Sequence, residues 1–109
     1  MKKLYRVRKN EEFAAIISKK KSVANVSFVV YACDRAKENA RVGISVSKKL
    51  GNAVERNRIK RQVREMARSL IDFGNYPKDV IIIVRKPYVN RAFSQNKNDL
   101  EIALKKAII

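Results

Sequence analysis

Histidine is absent from the 109 residues, and acidic side chains are scarce, with ten Asp plus Glu in the whole chain. General acid–base and nucleophilic catalysis run mostly through His or through closely placed carboxylates. The few acids here are scattered, with no paired-carboxylate motif of the metal-nuclease type, so the chain carries no recognisable catalytic set of its own. Cysteine is nearly absent too. A lone Cys33 excludes an internal disulfide and the usual zinc ligand set. Lying inside the apolar run Val26-Ser-Phe-Val-Val-Tyr-Ala-Cys33, it reads as a small hydrophobe in a strand, and the missing disulfide framework points to a reducing cytoplasm.

Proline and glycine are few (two and three), and there is no repeat, low-complexity block or Pro/Gly-rich linker. One domain over 1–109 is therefore expected, with a basic, extended or loose arm at about 1–9. Long hydrophobic runs are missing as well. Nothing approaches the ~20 apolar residues that span a bilayer. The basic start Met1-Lys2-Lys3 runs into Arg6, Arg8, Lys9, Glu11 and Glu12 instead of the apolar stretch of a signal peptide. The expectation is a soluble, unprocessed protein with no membrane partner.

What is present is apolar residues and positive charge. Forty-six per cent of residues are hydrophobic, enough to bury a core, and 26 Lys plus Arg give a formal net charge of +16. Charge of that size speaks about partners rather than fold, and nucleic acid is the first polyanion to consider.

The periodicities predict the order αββαβα, an α/β (α+β) two-layer sandwich of helices on a small mixed sheet. Asn10 is read as the N-cap of a first helix running to about Lys20, with Glu11 and Glu12 in the turn where the helix dipole favours acids. Residues 26–33 and 41–47 read as strands. The short polar stretch 34–40 between them suggests a hairpin. Asn52 caps the next helix, with Glu55 completing a capping box and Ile59, Val63, Met66, Ala67 and Leu70 as its apolar stripe. Val80 to Val84 is a continuous β-branched run, expected as a central strand buried on both faces. A last helix starts near Ser94, with Leu100, Ala103, Leu104, Ala107 and Ile108 as its stripe.

The second helix carries the strongest functional signal. On a wheel at 100° per residue, Asn57, Arg61, Arg64 and Arg68 fall within a stripe of roughly 60°, away from the apolar stripe. Arg56, Arg58 and Lys60 flank it, and Lys48 and Lys49 precede the helix. Guanidinium forks match phosphate oxygens bidentately and stack on bases, which ammonium groups do less well. Asn57 adds a neutral donor and acceptor for a base edge or a sugar 2′-hydroxyl. An ordinary solvated helix face mixes signs; this one is almost single-signed, at a small cost in helix stability. A membrane-surface helix would use aromatic anchors, and this apolar stripe holds no Trp or Phe. RNA binding is the reading the residues favour.

The run Lys48-Lys-Leu-Gly-Asn-Ala-Val-Glu-Arg-Asn-Arg-Ile-Lys-Arg-Gln-Val-Arg-Glu65 resembles the signature of the protein subunit of bacterial ribonuclease P. Gly51, Ala53, Val54, Arg56, Asn57, Arg58, Lys60, Arg61, Arg64 and Glu65 match that family's pattern at fixed spacing. Arg41 to Lys48 also resembles the strand before it, and the likeness extends in element order from Arg8 to the last helix. The resemblance implies an α-β sandwich with a left-handed β-α-β crossover, similar to a domain of some ribosomal proteins. It implies that Lys48, Lys49, Arg56, Asn57, Arg58, Lys60, Arg61, Arg64 and Arg68 contact a catalytic RNA subunit. It further implies that a cleft between the sheet and the first helix holds the single-stranded 5′ leader of precursor tRNA. Phe13 and Tyr31 match that cleft's aromatics. Ile17 stands where the family often has a second aromatic, which leaves apolar contact there, and Arg8 and Lys9 are expected to bind the leader with them. The hydrolysis, with its Mg²⁺, would belong to the RNA, with no metal held tightly by the protein. Phosphate-like anions such as sulfate would bind the free protein. A ribosomal or general RNA-binding protein without a role in tRNA processing is the alternative.

Overall fold

The computed structural model describes residues 2–19 and 21–108. Met1, Lys20 and Ile109 lie outside the described residues, and with them the expected end of the first helix at Lys20. Three helices, α1 (Asn10–Ser18), α2 (Ala53–Leu70) and α3 (Phe93–Lys106), pack on a sheet of four strands, β1 (Ser22–Ala24), β2 (Phe28–Asp34), β3 (Val42–Ser45) and β4 (Lys78–Val84). The sheet order is β1-β2-β4-β3. β1 and β4 run antiparallel to β2, while β3 runs parallel to β4 and connects to it through α2. The sheet is thus mixed, as expected.

The expected hairpin between residues 26–33 and 41–47 does not form, because β4 lies between these two strands. β4 is β-branched along most of its length and buried on both faces, with Val80, Ile81 and Ile82 at 0 % exposure. A strand of that kind gains most in the middle of a sheet, where it has a partner on each side. The polar stretch after β2 accordingly arches over the end of β4. Arg35 donates to the carbonyls of Gly74 (3.0 Å) and Tyr76 (3.3 Å), and the Ala40 amide donates to Phe73 O (2.7 Å). The actual hairpin is one strand earlier, between β1 and β2. The Asn25 side chain turns that corner, accepting from the amides of Ser27 (3.1 Å) and Phe28 (3.0 Å). β1 has only three residues, too few to show a period of two.

Helix α2 begins as its sequence indicates. Asn52 Oδ1 accepts from the Glu55 amide at 2.9 Å, and Glu55 Oε1 accepts from the Asn52 amide at 3.4 Å. Gly51, at φ 146°, makes the sharp turn into the cap, a conformation that L side chains rarely adopt. Helix α1 differs: Lys9, not Asn10, is its N-cap, and no side chain caps it.

The main core lies between one face of the sheet and helices α2 and α3. Phe28, Val30, Val80 and Ile82 meet Ile59, Val63, Met66, Leu100 and Leu104 there. Of the expected α3 stripe, Ala107 is half-buried and Ile108 is 43 % exposed, beyond the end of the helix. The opposite sheet face carries α1 alone, over a smaller cluster of Val7, Ile16 and Ile81. The sequence-based sandwich corresponds to the first face; the second is only partly roofed.

The N-terminal arm is docked rather than loose. Tyr5 stacks on Phe73 with ring centroids 4.3 Å apart. The Val7 amide donates to Val42 O at 3.0 Å, and Arg6 makes an isolated parallel bridge with Val42, so the arm runs along the outer edge of β3. Replacing Asn52 by Ala removes the acceptor for the Glu55 amide and should destabilise the protein by about 1 kcal/mol. Urea denaturation compared with wild type checks this.

Candidate nucleic-acid interface

The partly roofed sheet face gathers side chains that are far apart in the sequence. Alternation along β2 points Val29, Tyr31 and Cys33 to the α1 side, where Phe13 and Ile17 descend from the helix to meet them. Phe13, Ile17 and Tyr31 are all half-buried, each with one side in the small cluster and the other open. The row across the sheet is Tyr31, Ile81, Gly43. A Cβ at Gly43 would stand 2.6 Å from Phe13 Cζ and 2.6 Å from Ile81 Cδ1. A missing side chain on β3 therefore lets the tip of the Phe13 ring come close to the strand. The Cys33 thiol has its pKa pushed up by burial, with nearby Asp79 adding to the effect.

An ion pair absent from the sequence reading sets the position of α1. Arg41 is buried between two carboxylates, with Nη1 2.6 Å from Glu12 Oε2 and Nη2 3.2 Å from Asp79 Oδ2. The Arg41 amide also donates to Asp79 Oδ1 at 2.9 Å. Burial would lower the Arg41 pKa, but the hydrogen bonds it donates to Glu12 and Asp79 outweigh it and the pKa is raised. Asp79, 1 % exposed, is the one acid inside an otherwise apolar strand. That placement is the only signal in the sequence that could have marked it.

Helix α2 presents its expected polar stripe. Asn57, Arg61 and Arg68 are exposed and Arg64 is half-buried, while Ile59, Val63, Met66 and Ala67 face the core. Arg58 is exposed; Arg56 and Lys60 are half-buried at the stripe's edges. Lys48 and Lys49, both exposed, lie on a 3-10 turn (Lys48–Leu50) just before the helix. Arg68 is paired with Glu65 one turn back, a pair that raises the Arg68 pKa and lowers that of Glu65.

The cleft and the arginine helix, which the sequence presents as two separate sites, adjoin. A cavity of about 230 Å³ is lined by Arg6, Arg8, Phe13, Ile44 and Arg64. Arg64 from the helix thus shares a hollow with Phe13 and Arg8 from the cleft. On the other side of the arm, Lys3, Arg6, Arg8, Lys9, Lys37 and Arg41 line a second cavity of about 510 Å³. Glu12 is its only acid, already engaged by Arg41. Such a surface suits phosphates and aromatic-stacked bases together.

A family model described as Ribonuclease P matches residues 1–108. The chain belongs to the ribonuclease P protein family. It is 50 % identical over 101 residues to the ribonuclease P protein component of Bacillus cereus strain G9842, covering 92 % of this chain and 88 % of the relative. A Staphylococcus aureus RNase P protein mutant superposes with a TM-score of 0.86 at 45 % identity, over 97 % of this chain and 90 % of that one. The Thermotoga maritima RNase P protein gives 0.80 at 31 % identity, over 93 % and 96 %. The chain is a protein subunit of ribonuclease P, an endoribonuclease. Among the described residues no group of three or more His, Cys, Asp or Glu is placed to hold a metal ion. No helix among them is long and apolar enough to cross a membrane.

Two substitutions probe the geometry of the ribonuclease P protein. Asp79→Ala leaves the Arg41 guanidinium buried without its main-sheet partner and should cost roughly 3–5 kcal/mol; a urea titration reads it directly. Gly43→Val forces Phe13 off the strand at a cost of about 1–3 kcal/mol. It should also change the near-ultraviolet signal of the aromatic cleft; a spectrum and melting curve identical to wild type would contradict the close approach.

Proposed function

We propose that this subunit holds two RNAs at once: the catalytic RNA on the arginine stripe of α2, and the 5′ leader of precursor tRNA in the cleft beside it. Lys48, Lys49, Arg56, Asn57, Arg58, Lys60, Arg61, Arg64 and Arg68 dock the catalytic RNA, neutralising phosphates with guanidinium forks. Phe13 and Tyr31 stack leader bases, Ile17 gives apolar contact, and Arg8 and Lys9 take the leader's phosphates. Base stacking on an aromatic contributes about 1–3 kcal/mol per base and tolerates any sequence. That tolerance suits leaders that differ between precursors. The protein supplies no reacting group. The RNA holds the Mg²⁺ and cleaves the bond, releasing the mature tRNA 5′ end, and the protein's cations reduce repulsion between the two RNAs. The setting is the cytoplasm.

The observation that carries this reading is the cavity shared by Arg64, Arg8 and Phe13. One side chain of the helix reaches the place where the leader would lie, so substrate and catalytic RNA can be gripped in a fixed relation. Reconstitution tests it. The wild-type protein added to the RNA subunit at low Mg²⁺ should restore cleavage of precursor tRNA, and Arg61→Ala combined with Arg64→Ala should not. Phe13→Ala should narrow the difference in affinity between precursor and mature tRNA by about 5- to 150-fold, with little change for mature tRNA.

The basic cavity around Arg6, Lys9 and Lys37 supports a further part of the proposal, that phosphate-like anions bind the free protein and stabilise it. A thermal melt in sulfate should exceed one in chloride at equal ionic strength. Affinity for RNA should fall steeply as salt rises from ~50 to ~200 mM, as counterion release requires.

A further inference from the structure

Of the chain's eight aromatic rings, one is exposed. Phe93, the first residue of α3, is 44 % accessible, whereas Phe28, Phe73 and Tyr88 are buried and the other four are half-buried. Nothing in the core calls for it there. A single surface aromatic needs no explanation by itself, but the surroundings of this one are specific. Phe93 stands at the mouth of a shallow hollow of about 70 Å³ between α2 and the start of α3. Val89, 42 % exposed, adds apolar surface beside the ring, and Arg58 and Arg91 stand at the rim. Arg91 is held in place by Asp99 at 2.8 Å. Arg58 makes no ion pair among the described residues, so its guanidinium is free. On the floor, Gln62 Oε1 accepts from the Tyr88 hydroxyl at 2.8 Å, which orients the amide and leaves Nε2 as a donor.

These groups do not make a phosphate seat. Glu55 also lines the hollow, its carboxylate turned to the Asn52 amide, and a carboxylate repels a phosphate. A flat apolar ring, a fixed amide donor and a free guanidinium together match the face and edge of a nucleobase. Paired bases have their faces covered by neighbours in the stack, so the match is to an unpaired one. The hollow lies on the Arg58–Gln62 flank of α2, on the opposite side of the arginine stripe from the flank where Arg64 turns toward the cleft. The leader and this hollow are thus separated by the helix itself.

We infer that Phe93 is a stacking platform for an unpaired base of the catalytic RNA, with Gln62 and Arg58 contacting that base's edge. The inference rests on the RNA-subunit reading of α2 and adds base contact to what is otherwise a phosphate-binding helix. It makes docking of the protein depend on one looped-out nucleotide as well as on charge.

The chain contains no tryptophan, so a single introduced Trp reports without background. Phe93→Trp keeps the platform and makes it fluorescent. Ile102→Trp, at a position 42 % exposed on the same helix, is the reference. Titrated with the RNA subunit, the Phe93→Trp protein should lose half or more of its emission, and the Ile102→Trp protein little. Phe93→Ala, with an unchanged melting curve, should weaken binding of the RNA subunit about fivefold or more, and Phe93→Tyr should restore it. Equal quenching at the two positions, or wild-type affinity in Phe93→Ala, overturns the inference. Quenching of the Phe93→Trp protein by precursor tRNA alone, without the RNA subunit, overturns the assignment of the base to the catalytic RNA. The arginine pair keeps the two levels apart. If Arg61→Ala with Arg64→Ala binds the RNA subunit like wild type, the docking reading of α2 fails; if that variant loses binding while Phe93→Ala does not, only the platform fails.

Discussion

Arg41 sits at the point where three parts of the chain would otherwise come apart. Its side chain joins Glu12 of α1 to Asp79 of β4, and its backbone ends the connection from β2, immediately before β3. A buried charge of this kind is costly unless every partner is in place. It therefore acts as a locator more than as a source of stability. Nη1 and Nη2 each meet a carboxylate while the buried Nε has no partner among the described residues, and the two contacts tie α1 to β4. Phe13, one residue after Glu12, is then set over Gly43, two residues after Arg41. The placement of the aromatic cleft follows from this ion pair.

Helix α2 solves a different problem, how to keep many like charges on one element. Its own surface does not stabilise it, since arginines four residues apart repel. The stability comes from the buried stripe of Ile59, Val63, Met66 and Ala67, and from the capping box at Asn52 and Glu55. The exposed face is then free to be chosen for what it binds. Glu65 is the exception, drawing Arg68 into a surface pair. Such a pair is weak in water.

Much of this was legible in the sequence where the cause is local. The cap, apolar stripe and polar stripe of α2 all lie within twenty residues, and periodicity displays them. The central place of β4 followed from its β-branched run. Pairing was not legible. Which strand lies beside β4 depends on contacts between distant residues, and the short polar stretch after β2 imitates a hairpin turn although it is an arch. The Arg41 ion pairs span 29 and 38 residues and leave only a faint trace, an acid in an apolar strand. For the candidate site, the membership of Phe13, Ile17 and Tyr31 came from family likeness. The structure places the three together on one sheet face. The contact between the cleft and Arg64 was invisible until the fold brought them to a common cavity.

The docking of the arm along β3 bears on how the protein behaves before it meets any partner. A small sheet has two outer strands, each with unpaired amides and carbonyls that invite another chain to add on. One outer strand here, β1, is three residues long and offers little. The other is β3, and the arm lies along it through Arg6 and Val7. The arm's side chains are largely cationic, so an approaching copy meets a row of like charge before it reaches any free backbone. The cations of the arm therefore also shield the sheet edge against pairing with another copy.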